Sequence, residues 1–490
     1  MNIGLGLDLG SLRSVSSATT EYLGLIATRA RAPGTTVSGN KQFRSRSAHK
    51  VTDTLKTIRF AYANFYLASG SSKEVGHNAT ATVESYLEYP AGTFTRMTFS
   101  GGNVCNLPAV PVAGATSQVG VVISDALDVT AMNITAASVI FARTLYTSTG
   151  GIIYNQVRDS ALGDLLQVQA GTTWTSSDLI STITHNAGTA YAPPIAIIGE
   201  TTKGSLIGLG DSIMFGFHDT DVSDGRTGIV CRGLTADTYA FLNLSSPGAR
   251  AATILSESPG RSVLFPYCSH MVSNLGINDL ISIATLSSAA HIANMTTVAA
   301  AFPDRVKKIC CTITPDSTDT TDGWTTTGGQ TAALGAGDSG VGSRVNYNNA
   351  VRGGNVPGYT NYFEIADSVE SARDSGKWAP DAAARTITDA AITSGAAVFT
   401  SPAQASFTTN DIGVGVRING AGTAGAALAI DILSRSSATS VTLSGNAATT
   451  VSGATAYIGG LTYEGLHPSR KAYTLPAAGG AIDMTKLAYP

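Results

Sequence analysis

The run LIGLGDSIMFGF, residues 206–217, decides how this chain is read. Leu206-Ile207-Gly208-Leu209 is apolar or small throughout, stops at Gly210-Asp211-Ser212, and turns apolar again. A strand buried on both faces reads as such a continuous apolar run. An acid and a hydroxyl at its end then fall at the carboxyl edge of a sheet, where open α/β folds place their sites. A tight polar turn is the competing reading of the triplet taken alone.

The residues around this run favour the strand. After Thr201 strand-like and helix-like segments alternate: SLIGLGD, the short helical piece AATILSES, MVSNLGINDL, the helical spacing of ISIATLSSAAHIANMTTVAAAF, and VKKICCTITP. This order predicts a parallel sheet with helices on both faces, an α/β/α three-layer domain over 200–384. Over 51–199 short β-branched and aromatic segments alternate with period two between Gly/Ser/Asn turns, which predicts an antiparallel β-sandwich of jelly-roll type. Its Tyr62, Phe65, Tyr66, Tyr86 and Tyr89 read as core rather than as a sugar platform. Residues 385–460 lack helical periodicity and carry turn clusters every eight to twelve residues, as a small all-β module would. Because loop and helix character returns at LTYEGLHPSRKAY, that module reads as an insertion, with 461–490 closing the α/β domain. Residues 1–50, with Arg29, Arg31, Lys41, Arg44, Arg46 and Lys50 among Gly, Ser and Pro, read as an extended arm.

Bulk properties narrow the function. At 490 residues the chain exceeds one ordinary core, and its net charge of −3 with 13% charged residues offers no concentrated basic surface for nucleic acid. No apolar run is long enough for a membrane span. The start, MNIGLGLDLGSLRSVSS, makes a poor secretory signal. Cys105, Cys231, Cys268, Cys310 and Cys311 have neither metal-ligand spacing nor an even disulfide count, so they read as small buried residues. No phosphate loop of the GxxxxGK[ST] type and no metal-spaced cluster occurs, so no cofactor is expected.

Four short blocks follow one another in order: Gly210-Asp211-Ser212, Asn243-Leu244-Ser245-Ser246-Pro247-Gly248, Gly276-Ile277-Asn278-Asp279 and Glu464-Gly465-Leu466-His467-Pro468. Each alone is a turn. Together, at the strand ends of an α/β segment, they resemble the signature blocks of the SGNH (GDSL-type) hydrolase superfamily, over 200–384 and 461–490. The residue chemistry agrees with what the resemblance implies. A serine hydroxyl needs a base to become a nucleophile, and an imidazole such as that of His467 is suited to that task near neutral pH. The backbone N–H groups of Ser212 and Gly248 and the side chain of Asn278 could converge on one oxyanion. Asp211 is expected to bond backbone around its turn, with Gly276 and Asp279 supporting the third block. His218, His270 and Asp374 match no block.

The family places an aspartate three residues before the histidine, and this chain has Glu464 there. Either Glu464 orients the ring of His467 as the third member of a triad, or Ser212 and His467 act as a dyad with a backbone carbonyl orienting the ring. The 385–460 segment also resembles small β modules of bacteriophage tail fibres. Together these resemblances imply a serine esterase, an O-acetyl deacetylase acting on acetylated surface polysaccharide. They place it on a phage tail or outside the cell, contacting other virion proteins through the N-terminal arm, with a homo-oligomer open. Two other readings stay open: a non-catalytic receptor-binding tail protein on the same scaffold, and a secreted lipase or acetylxylan-type esterase.

Overall fold

The computed structural model describes residues 20–68, 72–110, 120–156, 158–219, 225–235, 238–283, 285–319, 321–333 and 342–489. The poor leader and the first part of the expected arm, 1–19, lie outside them. The chain is multidomain: a five-stranded parallel sheet, several antiparallel sheets and a six-stranded antiparallel barrel.

Strands β1 (Ser205–Gly208), β2 (Ala240–Asn243), β3 (His270–Ser273), β4 (Lys307–Cys311) and β5 (Asn361–Phe363) pair in parallel, in the order β2-β1-β3-β4-β5. The chain steps from β1 to one side for β2, then crosses back to lay down β3 on the other. That reversal makes the carboxyl end of β1 the topological switch point, where such sheets leave a crevice. Leu206 and Ile207 are wholly buried, which is why this strand needs no polar alternation. At Gly210 a Cβ would overlap Asn274 Oδ1 and the side chain of Met214, so the turn after β1 closes tightly only on glycine.

Two longer helices, Ser288–Ala300 and Ser343–Arg352, bring Met295, Val298, Tyr347 and Val351 into the core that holds Val272 and Ile309 of the sheet. They meet through the rings of His291 and Tyr347, 4.5 Å apart. AATILSES, expected as a helical piece, forms a series of turns instead. The N–H groups of Ala251 and Ala252 donate to the carboxylate of Asp279 at 2.9 and 3.1 Å, so a side chain holds the backbone groups that would open a helix there.

The N-terminal part folds mainly as two antiparallel sheets, of five and six strands, with a three-stranded and a two-stranded sheet beside them, around a core of its own. Tyr62 and Phe65 are buried in the interior and Tyr66, Tyr86 and Tyr89 half-buried. Residues 20–50 correct the expectation of an arm. Tyr22–Leu25, Thr35–Val37 and Gln42–Lys50 are strands, and the last runs in register between Val139–Ser148 and Leu165–Gln169. Two of the basic residues that suggested a solvated arm, Arg29 and Arg46, are neutralised inside the domain. Arg29 pairs with Asp164, and Arg46 and Arg143 share Glu88. Those carboxylates lie 135 and 42 residues further along the chain, so no local pattern announces them.

The insertion is a closed barrel of Pro380–Ile392, Val398–Thr400, Gly415–Ile418, Leu428–Ser437, Ser440–Leu443 and Val451–Gly460, with its own core. Closure removes the free edges that an isolated short sheet would expose. Its last strand runs directly into the loop that carries His467. All five cysteines are buried, and none is in a disulfide.

The sandwich and the α/β domain are joined by a buried ion pair. Glu74, on the sandwich side, accepts from Gly260 N at 3.0 Å, Arg261 N at 2.6 Å and Arg261 Nε at 3.3 Å. Arg261 also donates through Nη1 to Leu244 O and Ser246 Oγ, beside the second sequence block. Removing one partner leaves the other charge buried alone, which costs roughly 3–5 kcal/mol. Arg261→Ala is therefore expected to lower the midpoint of denaturant unfolding strongly, whereas pairing Arg261→Met with Glu74→Gln recovers most of the loss. Equal midpoints for Arg261→Ala and wild type would show that the pair does not hold the interface.

Candidate active site

The switch point delivers Ser212 to the surface of a cleft. Asp211 caps a single helical turn, Ser212–Phe215, by accepting from Ile213 N at 2.9 Å. The turn ends at Gly216, whose positive φ of 87° reverses the chain. The Ser212 side chain, 6% exposed, meets the ring of His467 at 2.8 Å. His467 Nδ1 faces Glu464 Oε1, which also accepts from His467 N at 3.0 Å. A carboxylate only accepts, so the ring proton lies on Nδ1 and the Ser212 hydroxyl donates to Nε2. Burial raises the proton affinity of Glu464, but the hydrogen bonds and charge of His467 outweigh it and hold the carboxyl below its ordinary range.

The loop that carries both residues is closed on itself. Thr462 Oγ1 donates to His467 O at 2.7 Å and accepts from Gly465 N at 2.9 Å. The buried indole of Trp378 donates to Gly465 O at 2.6 Å. Oε1 of Glu464 thus folds back to both N–H groups of a residue only three positions on. Of the two sequence-level arrangements, the carboxylate sits at Nδ1.

Across the cleft, Gly248 has φ +78°, a conformation open to glycine, and is exposed. Among the described residues the backbone N–H groups of Ser212 and Gly248 donate to no protein acceptor. Asn278 stands on the short helix Ile277–Ser282 and donates one amide hydrogen to Ala249 O at 3.2 Å, leaving the other for the cleft. Asp279 bonds Ala251 and Ala252, so it ties the Gly248 segment to the Asn278 helix and fixes the spacing between them. Gly276 precedes that helix with φ +146°. The cleft is open, about 500 Å³, and its walls include Ser72, Phe217, Pro247, Arg250, Ser282 and Leu466 besides Ser212, Gly248, Asn278 and His467.

Sequence reasoning missed several of these. Asn274 donates to Asp211 Oδ1 at 2.8 Å and accepts from Asp211 N at 3.2 Å, locking the turn that presents Ser212. Its place in SNLGIND, four residues before Asn278, was the available signal. Ser72 comes from the sandwich domain, where no local motif marks it, and its carbonyl accepts from Ser246 Oγ at 2.9 Å. His218 lies at the site: its ring is 6.1 Å from that of His467 and 5.3 Å from Tyr463. Burial and the charge of His467 lower its proton affinity. His270 is buried in β3 against Ser269, and Asp374 pairs with Arg352 at 2.7 Å, so neither belongs to the cleft.

Asp211 is wholly buried, its Oδ2 has no partner, and burial pushes its carboxyl up to about 6 against the bonds from Ile213 and Asn274. A folded value above the unfolded one contributes stability that is full below pH ~3.9 and lost as pH rises through about 6. Asp211→Asn removes this dependence. Relative to wild type, its unfolding free energy is expected to rise between pH 4 and 7, by up to ~3 kcal/mol at 1.36 kcal/mol per unit. A parallel pair of stability–pH curves would refute a buried, titrating Asp211.

Fold and cleft together define a multidomain protein around a five-stranded parallel sheet with a Ser-His-Glu constellation at its switch point. No family model matches the chain, and a search of curated proteins finds no match. Solved structures that match, all at low identity, include a GDSL-like lipase, other lipases, a salicylyl-acyltransferase and a carbohydrate esterase. A candidate GDSL-like lipase from Parabacteroides merdae is 11% identical over 34% of this chain and 79% of its own, with a TM-score of 0.26. Phospholipase A1 from Streptomyces albidoflavus is 19% identical over 34% and 81%, with a TM-score of 0.21. A carbohydrate esterase is 10% identical over 60% and 78%, with a TM-score of 0.18. Likeness of that degree carries no argument about substrate; the chemistry rests on the side chains themselves.

Proposed function

We propose that the chain is a serine carboxylic-ester hydrolase, and within that class an O-acetyl esterase of glycans. The observation that carries this reading is the contact of Ser212 Oγ with His467 Nε2 while Glu464 occupies Nδ1. Ser212 Oγ attacks the acetyl carbonyl carbon as His467 Nε2 takes its proton. The carbonyl oxygen becomes an oxyanion, held by the free N–H groups of Ser212 and Gly248 and by the Asn278 amide. Such donors act on charge that exists only in the transition state. His467 then gives the proton to the departing sugar oxygen, the C–O bond breaks, and an acetyl-serine remains. Water attacks it, loses a proton to His467, and acetate leaves as Ser212 regains its hydrogen.

The open cleft, whose walls are polar and apolar in nearly equal measure, supports a bulky hydroxylated leaving group and a short acyl group, because it is too open to enclose a long fatty chain. The Gly-, Ser- and Thr-rich composition and the small β insertion support a place on a phage tail or another extracellular assembly that meets surface polysaccharide. Because residues 20–50 belong to the sandwich, they leave no arm in that stretch for binding other virion proteins. The test is acetate release from acetylated glycans beside a series of aryl esters of increasing chain length. Hydrolysis confined to short acyl groups supports the reading. Preference for long chains makes the protein a lipase, and no hydrolysis of any ester overturns the proposal.

A further inference from the structure

Arg250 follows Gly248 by two residues and lines the same cleft. It is the only permanently charged side chain among the lining residues. It is half-buried, and among the described residues its guanidinium has no carboxylate or carbonyl partner. This sets it apart from other arginines of the α/β domain: Arg261 is tied to Glu74, Arg232 to Asp219 and Arg344 to Glu370. Its backbone is nevertheless fixed. Arg250 O accepts from Thr253 N at 3.2 Å and Ile254 N at 2.9 Å, and Asp279 clamps the two residues after it. A rigid backbone thus presents an unsatisfied cation at the rim of the acyl site.

A guanidinium is always charged and matches carboxylate or phosphate oxygens through two parallel N–H bonds. With no acid among the described residues that line the cleft, the complementary group comes with the substrate. Resting on the esterase reading, we propose that Arg250 selects an anionic glycan: the acetylated sugar, or its neighbour, carries a carboxylate or phosphate that pairs with Arg250 while the acetyl group lies between Ser212 and Gly248. A glycan rather than an anionic phospholipid fits the remaining walls, because Ser72, Ser282 and Asn278 offer hydrogen bonds and only Phe217, Pro247 and Leu466 are apolar.

The test compares kcat/KM on acetylated oligogalacturonides, on phosphate-bearing acetylated oligosaccharides and on neutral acetylated xylo-oligosaccharides. Wild type is expected to favour one of the anionic substrates at least ~10-fold, through KM, with the preference shrinking as salt rises. In Arg250→Gln that ratio falls toward one, and Arg250→Lys keeps part of it. Which anionic arm responds identifies carboxylate or phosphate. A preference unchanged in Arg250→Gln, no anionic preference in wild type, or Arg250-dependent action on phosphatidylglycerol vesicles in place of the glycans each overturns the proposal. Calorimetric binding of the same oligosaccharides to Ser212→Ala separates the two readings. If no ester is hydrolysed, salt-sensitive binding lost in Ser212→Ala/Arg250→Gln still supports Arg250, and its absence refutes it.

Discussion

Ser212→Ala is expected to lower kcat for 4-nitrophenyl acetate by ~10⁴-fold or more while leaving the unfolding midpoint nearly unchanged. Loss of the nucleophile removes the covalent route entirely, and what remains is the modest effect of binding and oxyanion donors on attack by water. The fold tolerates the change because, among the described residues, the Ser212 side chain bonds only His467, and both line the cleft. The turn itself is held by Asp211 and Asn274, which the substitution does not touch. Trapping of an acetyl group on residue 212 of the wild type, by mass spectrometry after rapid acid quench, checks the same claim from the other side. Turnover surviving in Ser212→Ala within tenfold would place the reaction elsewhere.

Glu464→Gln carries the second large effect, a fall in kcat of ~10²–10⁴-fold, by analogy with removal of the charged member of other triads. The amide keeps the length to reach His467 N and Nδ1, so geometry is largely retained. What disappears is the negative charge that stabilises the imidazolium formed when Ser212 gives up its proton. Glu464→Asp tests reach instead: it restores charge but draws it back by one methylene, and an intermediate rate is expected. If Gln and wild type turn over alike, His467 works as half of a dyad and Glu464 only shapes the loop. Steady-state kcat for the three proteins on one aryl acetate decides between these outcomes.

The places where sequence and structure agree share a cause. Ser212 follows a strand whose burial is written into four consecutive residues, and Asp211 caps the turn within two positions of itself. Glu464 and His467 lie three apart on one loop, so their meeting is local as well. The insertion could be read as an all-β module, though not as a closed barrel, because antiparallel structure leaves alternation and turn residues in the chain at short range. Residues 20–50 misled for the opposite reason. A basic, Gly- and Ser-bearing stretch is indistinguishable from a solvated arm until Asp164 and Glu88 arrive from distant strands to neutralise it. AATILSES misled because the acid that captures its amides, Asp279, sits on another element.

By itself, then, the order of the four blocks determined which residues could perform ester chemistry and that a parallel sheet would carry them, since strand burial, turn chemistry and loop spacing are short-range properties of the chain. The tertiary structure decided everything that depends on separate segments meeting: Asn274 locking the serine turn, Asp279 fixing the oxyanion donors, Ser72 crossing from the sandwich, and Arg250 left in the cleft without a counter-charge. Such contacts are set by where the sheet order and the packing of three cores bring backbone together, and no pattern along the sequence encodes that distance.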